Sequence, residues 1–256
     1  MSDYAKGGNF VIIIRVLQYL TTYQLVALTF LMLILTGTGF LMLPAASVSG
    51  MSLSFVNALF TATSAVCVTG LAVVDTGTYF TFFGQMVIII LIQLGGLGIM
   101  TFATMISVAI GKKINLRERL LIQETLNQEG FSGVVRLALH VIKYTFLIEF
   151  IFGSILAIHL YPIYGAKAFY MGYWHSISAF CNAGFDLFGN YDSLVNFRGD
   201  VVVNLSIMSL IILGGLGFIV LEDVLSKRNF KSLMSHSKIV LISTAVLIFA
   251  GTVALW

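Results

Sequence analysis

Charge is what this chain has least of. Of 256 residues, 10% are Asp, Glu, Lys or Arg and 59% are hydrophobic, whereas a water-soluble domain carries about 25% charged residues. So little polar surface cannot coat a particle in water, which excludes a soluble globular protein. Proline and cysteine are nearly missing, with two residues each. Two cysteines do not make a disulfide-stapled scaffold, and so little proline leaves helices uninterrupted. The sequence has no H-E-x-x-H, P-loop or nucleophile-elbow pattern, so nothing points to an enzyme. The net charge of +3 is small, and the basic residues are scattered over short connections rather than gathered on one face, which argues against nucleic acid. What remains is an all-α integral membrane protein, in keeping with a mean hydropathy of +1.00.

A spanning helix needs about 20 mostly apolar residues. Long apolar runs occupy 23–43, 79–110, 134–161, 200–224 and 238–256, with shorter ones at 52–66 and 168–181. The first long run ends at Pro44 without a small-residue cleavage pattern, so it is read as a span and not as a removable signal. Each short run lies between two long ones and ends in a Cys-x-x-Gly segment: SAVCVTGL at 64–71 and SAFCNAGF at 178–185. Each is followed by LGGLG, at 94–98 and 213–217. The chain therefore repeats a unit of span, short helix, Gly segment and span.

Basic residues mark the cytoplasmic side of short loops. Lys6 and Arg15 precede the first span; Lys112, Lys113, Arg117, Arg119, Arg136 and Lys143 follow the second; Lys227, Arg228, Lys231 and Lys238 follow the fourth. These are twelve of the fourteen basic residues. The segments carrying the short runs hold only Lys167 and Arg198, but also Asp75, Asp186, Asp192 and Asp200. Were the short runs to cross the membrane, the basic loops would alternate sides. Re-entrant short runs put all twelve on one side, so the short helices are expected to enter and return on the outer face.

Non-helical backbone at membrane depth is tolerated only inside protein or against water. The C-terminal end of a short re-entrant helix carries partial negative charge, and the carbonyls after it have no helical partners. A cation can take their place, and a ring of such carbonyls can replace its hydration shell. Gly70 and Gly184 can adopt backbone conformations closed to other residues. The repeated segment thus reads as a strand of a cation filter. The alternative is an ordinary glycine C-cap followed by an outer loop. Cys67 and Cys181 occupy matching places and read as small buried residues rather than a disulfide. The LGGLG glycines read as close helix packing, with bending of the inner helices a further possibility, and not as a nucleotide loop.

Along essentially its whole length the chain resembles the membrane subunits of the Trk/Ktr/HKT superfamily of potassium transporters, most closely the bacterial Ktr membrane subunit. The resemblance rests on NALFTATSAVCVTGLAVVDTG at 57–77, QLGGLGIMTFA at 93–103, HSISAFCNAGFDLF at 175–188 and ILGGLGF at 212–218. It implies a potassium-channel-like fold of repeated span, pore helix, filter loop and span. It implies K+ at the backbone carbonyls of Val66, Cys67, Val68, Thr69 and Gly70 and of Phe180, Cys181, Asn182, Ala183 and Gly184, with sodium dependence left open. Family members carry four repeats. Here there are two and the first span of a third, so the family's third and fourth repeats, their gating loop and their pore-guarding basic residue are not in this sequence. A truncation, or a homodimer in which two chains supply four strands, would reconcile the two. The resemblance also implies a cytosolic nucleotide-binding regulatory ring as partner, so that a regulatory nucleotide would act only through that subunit.

The expected organisation is a cytoplasmic N-terminus over 1–22, a first pore repeat over 23–110 and an amphipathic cytoplasmic connection over 111–133. A second repeat over 134–225, a cytoplasmic loop over 226–237 and a further span over 238–256 complete it. The connection has an apolar stripe at Ile114, Leu120, Leu121, Ile122 and Leu126, suited to a lipid surface or a partner. Asp75 and Asp192 follow the two Gly segments and are candidates for the pore mouth, where carboxylates concentrate cations; solvated surface charge is the alternative. Glu149, buried in a span, is a functional or structural hydrogen-bonding group. His140, His159 and His175 show no metal-ligand spacing and are expected to be structural. Two other readings stay open: an alternating-access carrier of another solute, and a non-conducting homologue that assembles with a full-length transporter.

Overall fold

In a computed structural model, the structure describes residues 22–98, 120 and 134–255. The N-terminal segment and almost all of the amphipathic connection lie outside them. The chain begins with α1 (Thr22–Leu41), whose 20 residues extend about 30 Å, the thickness of a bilayer core. A short 3-10 turn at Pro44–Ala46 leads to α2 (Phe55–Val66), capped by Ser54, whose side chain accepts the Asn57 amide. Two further helices, α3 (Thr76–Tyr79) and α4 (Phe82–Gly96), complete the first unit. They start at Asp75 and Thr81, which accept the amides of Thr78 and Gly84. These polar caps satisfy helix-end amides.

The second unit follows the same plan. It consists of α5 (Val134–Tyr164), α6 (Lys167–Phe180), α7 (Val201–Gly215) and α8 (Phe218–Lys227). Gly153, Ala157 and Gly172 let the backbones of α5 and α6 touch. A Cβ on Gly172 would lie 2.6 Å from the Ala157 nitrogen and 2.7 Å from the Gly153 oxygen. With lipid on the outside, such small-residue contacts are what hold helices together. The last helix, α9 (Ser235–Leu255), leaves Leu247 and Phe249 71% and 73% exposed, which suits lipid.

Three helices among the described residues are long and apolar enough to cross a membrane on their own: Gln24–Leu41, Ala138–Tyr164 and Ser235–Ala254. Two of the five long runs depart from a single straight helix. The run at 200–224 is broken into α7 and α8, which meet at 102°. The break falls at Gly217, with φ +86°, within the LGGLG repeat. The run at 79–110 forms a 15-residue helix that ends at Gly96, and the description stops two residues later.

The cores of the two units interlock. Leu41, Ala62, Val66, Ile88 and Ile92 of the first pack with Trp174, Ala183, Phe185 and Leu187 of the second. Leu97 of the first packs into a cluster built from Leu156, Phe180, Val203 and Leu210.

Candidate functional site

The two Cys-x-x-Gly segments emerge from the C-terminal ends of α2 and α6, the short helices of each unit. Cys67 and Cys181 are the C-caps, and both are free thiols. Beyond each cap, φ alternates in sign. Val68 has φ +50° and Gly70 +71°; Asn182 has +58° and Gly184 +74°. A chain that alternates in this way turns successive peptide planes in the same sense and can present like groups on one side. The glycines were visible in the sequence. The left-handed residue two positions before each was not, and for a β-branched valine such a φ is exceptional.

The amides of both segments are bonded back to their own short helix. Val68 N donates to Ala65 O at 3.3 Å and Thr69 N to Ser64 O at 2.9 Å. Asn182 N donates to Ala179 O at 3.0 Å and Ala183 N to Ser178 O at 2.8 Å. Among the described residues, no hydrogen bond ends on the carbonyls of Cys67 to Gly70 or of Asn182 to Gly184. Two amides of each segment are thus used, while these carbonyls are left. The segments also meet each other: a Cβ on Gly70 would lie 2.5 Å from the Ala183 oxygen and 3.2 Å from the Gly184 Cα.

The LGGLG motifs buttress these segments from behind. Gly95 of α4 lies against the Val66 carbonyl, and Gly214 of α7 against the Phe180 carbonyl, each too close for any side chain. These are equivalent contacts in the two units, and they keep the C-terminal ends of the short helices against the following span.

Side-chain support differs between the units. In the first, Thr69 Oγ1 donates to Ser64 Oγ at 2.9 Å. In the second, Ser178 Oγ donates to Phe185 O at 2.6 Å. His175 is 5% exposed; its Nε2 accepts the Leu187 amide at 3.1 Å and its Nδ1 donates to Met171 O at 2.7 Å. These two partners define a neutral tautomer, and the ring stacks on Phe188 with centroids 4.3 Å apart. His159 pairs with Asp200 at 2.7 Å and His140 with Glu222 at 2.8 Å, so each joins α5 to the span that packs on it.

Asp75, beyond the first Gly segment, is not a free charge. Its carboxylate accepts the Thr78 amide at 2.7 Å, the Thr78 hydroxyl at 2.8 Å and, across the units, the Tyr191 amide at 2.7 Å. Burial raises its pKa, but these donors outweigh burial and hold it below the usual carboxylate value. Asp192 is exposed on the same loop. Asp186, which the sequence reading did not single out, is half-buried two residues beyond Gly184. It lines a cavity of about 190 Å³ with Ser178, Asn182 and Gly184. Burial pushes its carboxyl up against the Phe188 amide bond, and the charges of Asp75 and Asp192 push the same way. Its place directly after the Gly segment was the available signal.

No group of three or more His, Cys, Asp or Glu side chains among the described residues could hold a metal ion.

Comparison with known proteins agrees with this architecture. Residues 15–250 match the family described as TrkH, cation transport protein. The chain is 49% identical over 228 residues to the Ktr system potassium uptake protein B of Bacillus subtilis, covering 89% of this chain and 50% of that protein. It is 42% identical over 238 residues to the potassium/sodium uptake protein NtpJ of Enterococcus hirae, covering 93% and 52%. It is 40% identical over 257 residues to the Ktr system potassium uptake protein B of Vibrio alginolyticus, covering 99% and 53%. The chain thus spans about half the length of these relatives. A match over nearly its whole length, on a helical membrane-protein scaffold with two equivalent units, makes this chain a member of the TrkH family of cation transport proteins.

Proposed function

We propose that the protein takes up potassium across the cell membrane, and that Val66 to Gly70 and Phe180 to Gly184 are two strands of its ion filter. The observation that carries this reading is the pair of equivalent segments in which two amides are bonded back to the short helix while, among the described residues, the carbonyls of Cys67 to Gly70 and of Asn182 to Gly184 accept no hydrogen bond. Carbonyls left free at the negative end of a short helix replace the water around a cation. The names of the relatives, two potassium uptake proteins and one potassium/sodium uptake protein, support K+ as the ion and sodium as a second or coupling ion. Residues 23–110 and 134–225 are then the two pore repeats. Asp192 and Asp75 stand at the mouth, with Asp186 nearer the filter.

The N-terminus is cytoplasmic in this reading, because twelve of fourteen basic residues then share that side. A homodimer would supply four filter strands. The amphipathic connection at 111–133 is the surface for a cytosolic nucleotide-binding regulatory subunit.

The test is rubidium uptake in cells without other potassium uptake, expressing the chain with and without Gly70→Ser plus Gly184→Ser. Both glycines have positive φ, and Gly70 has no room for a Cβ, so the double variant is expected to lose uptake at equal membrane expression. Uptake that survives the substitutions would overturn the filter assignment. No uptake from either form would favour a half that conducts only with further repeats.

A further inference from the structure

Behind the second Gly segment lies a buried polar chain that joins the two units. Gln93 of α4 and Glu149 of α5 are 8% and 4% exposed. The Gln93 side-chain nitrogen donates to both Glu149 oxygens, at 3.0 and 3.1 Å. The other end of the same amide, Oε1, accepts the Cys181 thiol at 3.6 Å. Glu149 is itself tied to the short helix, since its backbone carbonyl accepts Ser176 Oγ at 2.8 Å. A Cβ on Gly96 would lie 2.8 Å from Cys181 Sγ, so the thiol is held between that backbone and the amide.

An amide has one donor end and one acceptor end. With the carboxylate taking the donor end, the carbonyl must face Cys181, and the thiol must point toward it. Cys181 is the residue from which the chain turns into Asn182 and Gly184. The arrangement has no counterpart in the first unit: Cys67 is exposed. A buried polar network that is satisfied at every member specifies one geometry, because each unmade bond is costly in a low-dielectric interior.

We propose that Glu149 and Gln93 are positioning residues for the second Gly segment. Glu149 orients the Gln93 amide, the amide fixes Cys181, and the fixed cap sets the carbonyl geometry on which discrimination between K+ and Na+ depends. This inference rests on the filter reading above. The carboxyl acts through its acceptor oxygens, of which glutamine at 149 keeps one.

The experiment follows modification of Cys181 and Cys67 by a membrane-permeant maleimide, read by peptide mass spectrometry on membranes holding the full chain, in K+ and in Na+. An ion that binds the closed filter lowers its opening. In the unsubstituted chain Cys67 is expected to react quickly and Cys181 slowly, and more slowly in K+ than in Na+. Gln93→Leu or Glu149→Leu is expected to speed Cys181 modification roughly five-fold, the equilibrium weight of one hydrogen bond. Either also erases the K+/Na+ difference, while Cys67 modification stays unchanged. Glu149→Gln, which keeps one acceptor, is expected to speed Cys181 modification less than Glu149→Leu and to retain a K+/Na+ difference.

The double variant Gln93→Leu with Glu149→Leu leaves only the weakly donating Cys181 thiol unpaired and carries the test if a single variant does not assemble. Leucine variants that preserve both the slow Cys181 reaction and the K+/Na+ difference would overturn the positioning role alone. So would Glu149→Gln behaving like Glu149→Leu. No K+/Na+ difference in the unsubstituted chain would overturn the filter reading, and this inference with it.

Discussion

The two units reach the same backbone by different means. In both, a C-cap cysteine is followed by alternating φ, two amides bonded back to the short helix, and a glycine of the following span against that helix's last carbonyl. Around this shared frame the first unit uses a hydroxyl pair, Ser64 and Thr69. The second adds His175, Ser178 and the Gln93–Glu149 pair, all buried. Backbone geometry is therefore the invariant of the repeat and side-chain support is the variable. The first unit is held lightly, while the second is held by partners drawn from both units.

The strongest way to break the comparison acts on what is shared. Gly95→Leu and Gly214→Leu are each expected to abolish the monodisperse, folded chain in detergent. Each drives a side chain into a carbonyl already in contact, where overpacking alone costs about 1–3 kcal/mol or more. Equal damage from both is the expected result; a tolerated Gly214→Leu would show that the contact is shared in form only.

The next effect is one-sided. His175→Ala leaves the buried Leu187 amide without its acceptor, a loss of about 1–3 kcal/mol. The residue at the matching place in the first unit, Thr61, bonds only within its own helix, to Asn57 O at 2.9 Å. Thr61→Val is accordingly expected to cost about 0.5 kcal/mol. Thermal midpoints of the two variants in the same detergent measure the difference.

A smaller effect lies at the seam between the units. Asp75→Asn is expected to speed hydrogen exchange at the Tyr191 amide roughly two- to ten-fold, the range of a single lost bond. Acid acts in the same direction. The folded-state pKa of Asp75 lies below its ordinary value of 3.8, so its contribution is present above that value and is lost as pH falls through the lower, folded-state pKa. Asp186 has the opposite sign. Its pKa is raised, so its charge weakens the fold above that pKa, and lowering the pH through it relieves the cost. Asp186→Asn is therefore expected to leave the thermal midpoint unchanged or higher at neutral pH, while lowering rubidium uptake if the carboxylate feeds the filter. The least effect is Thr69→Val, about 0.5–1 kcal/mol from the hydroxyl pair, detectable as faster exchange at the Thr69 amide.

Much of the plan was legible in the residues. Apolar runs of two lengths, a repeated Cys-x-x-Gly and one-sided basic loops are local patterns, and each reflects whether a segment meets water, lipid or protein. They led to an all-α membrane protein built from a repeated unit, and the repeated LGGLG to close packing. The positive φ at Val68 was hidden, because a β-branched residue does not announce a left-handed turn; Asn182 is of a type that tolerates one, yet only the matching turn at Val68 shows that both units require it. Asp75 was legible as a charge near the mouth but not as a clamp, since its decisive partner is the amide of Tyr191, 116 residues away.

Hydropathy and charge asymmetry by themselves determined that this chain lives in a membrane, how its spans and short helices alternate, and which glycines could turn. Those are properties of each segment's exchange with its solvent, and composition suffices to state them. Tertiary structure decided the 102° break after Gly215, the meeting of Gly70 with Ala183, and the joining of Gln93 to Glu149 and Cys181 across 56 and 88 residues. The reason is that packing sets which backbones may touch and which buried polar groups must find one another, and neither is written in the neighbourhood of any single residue.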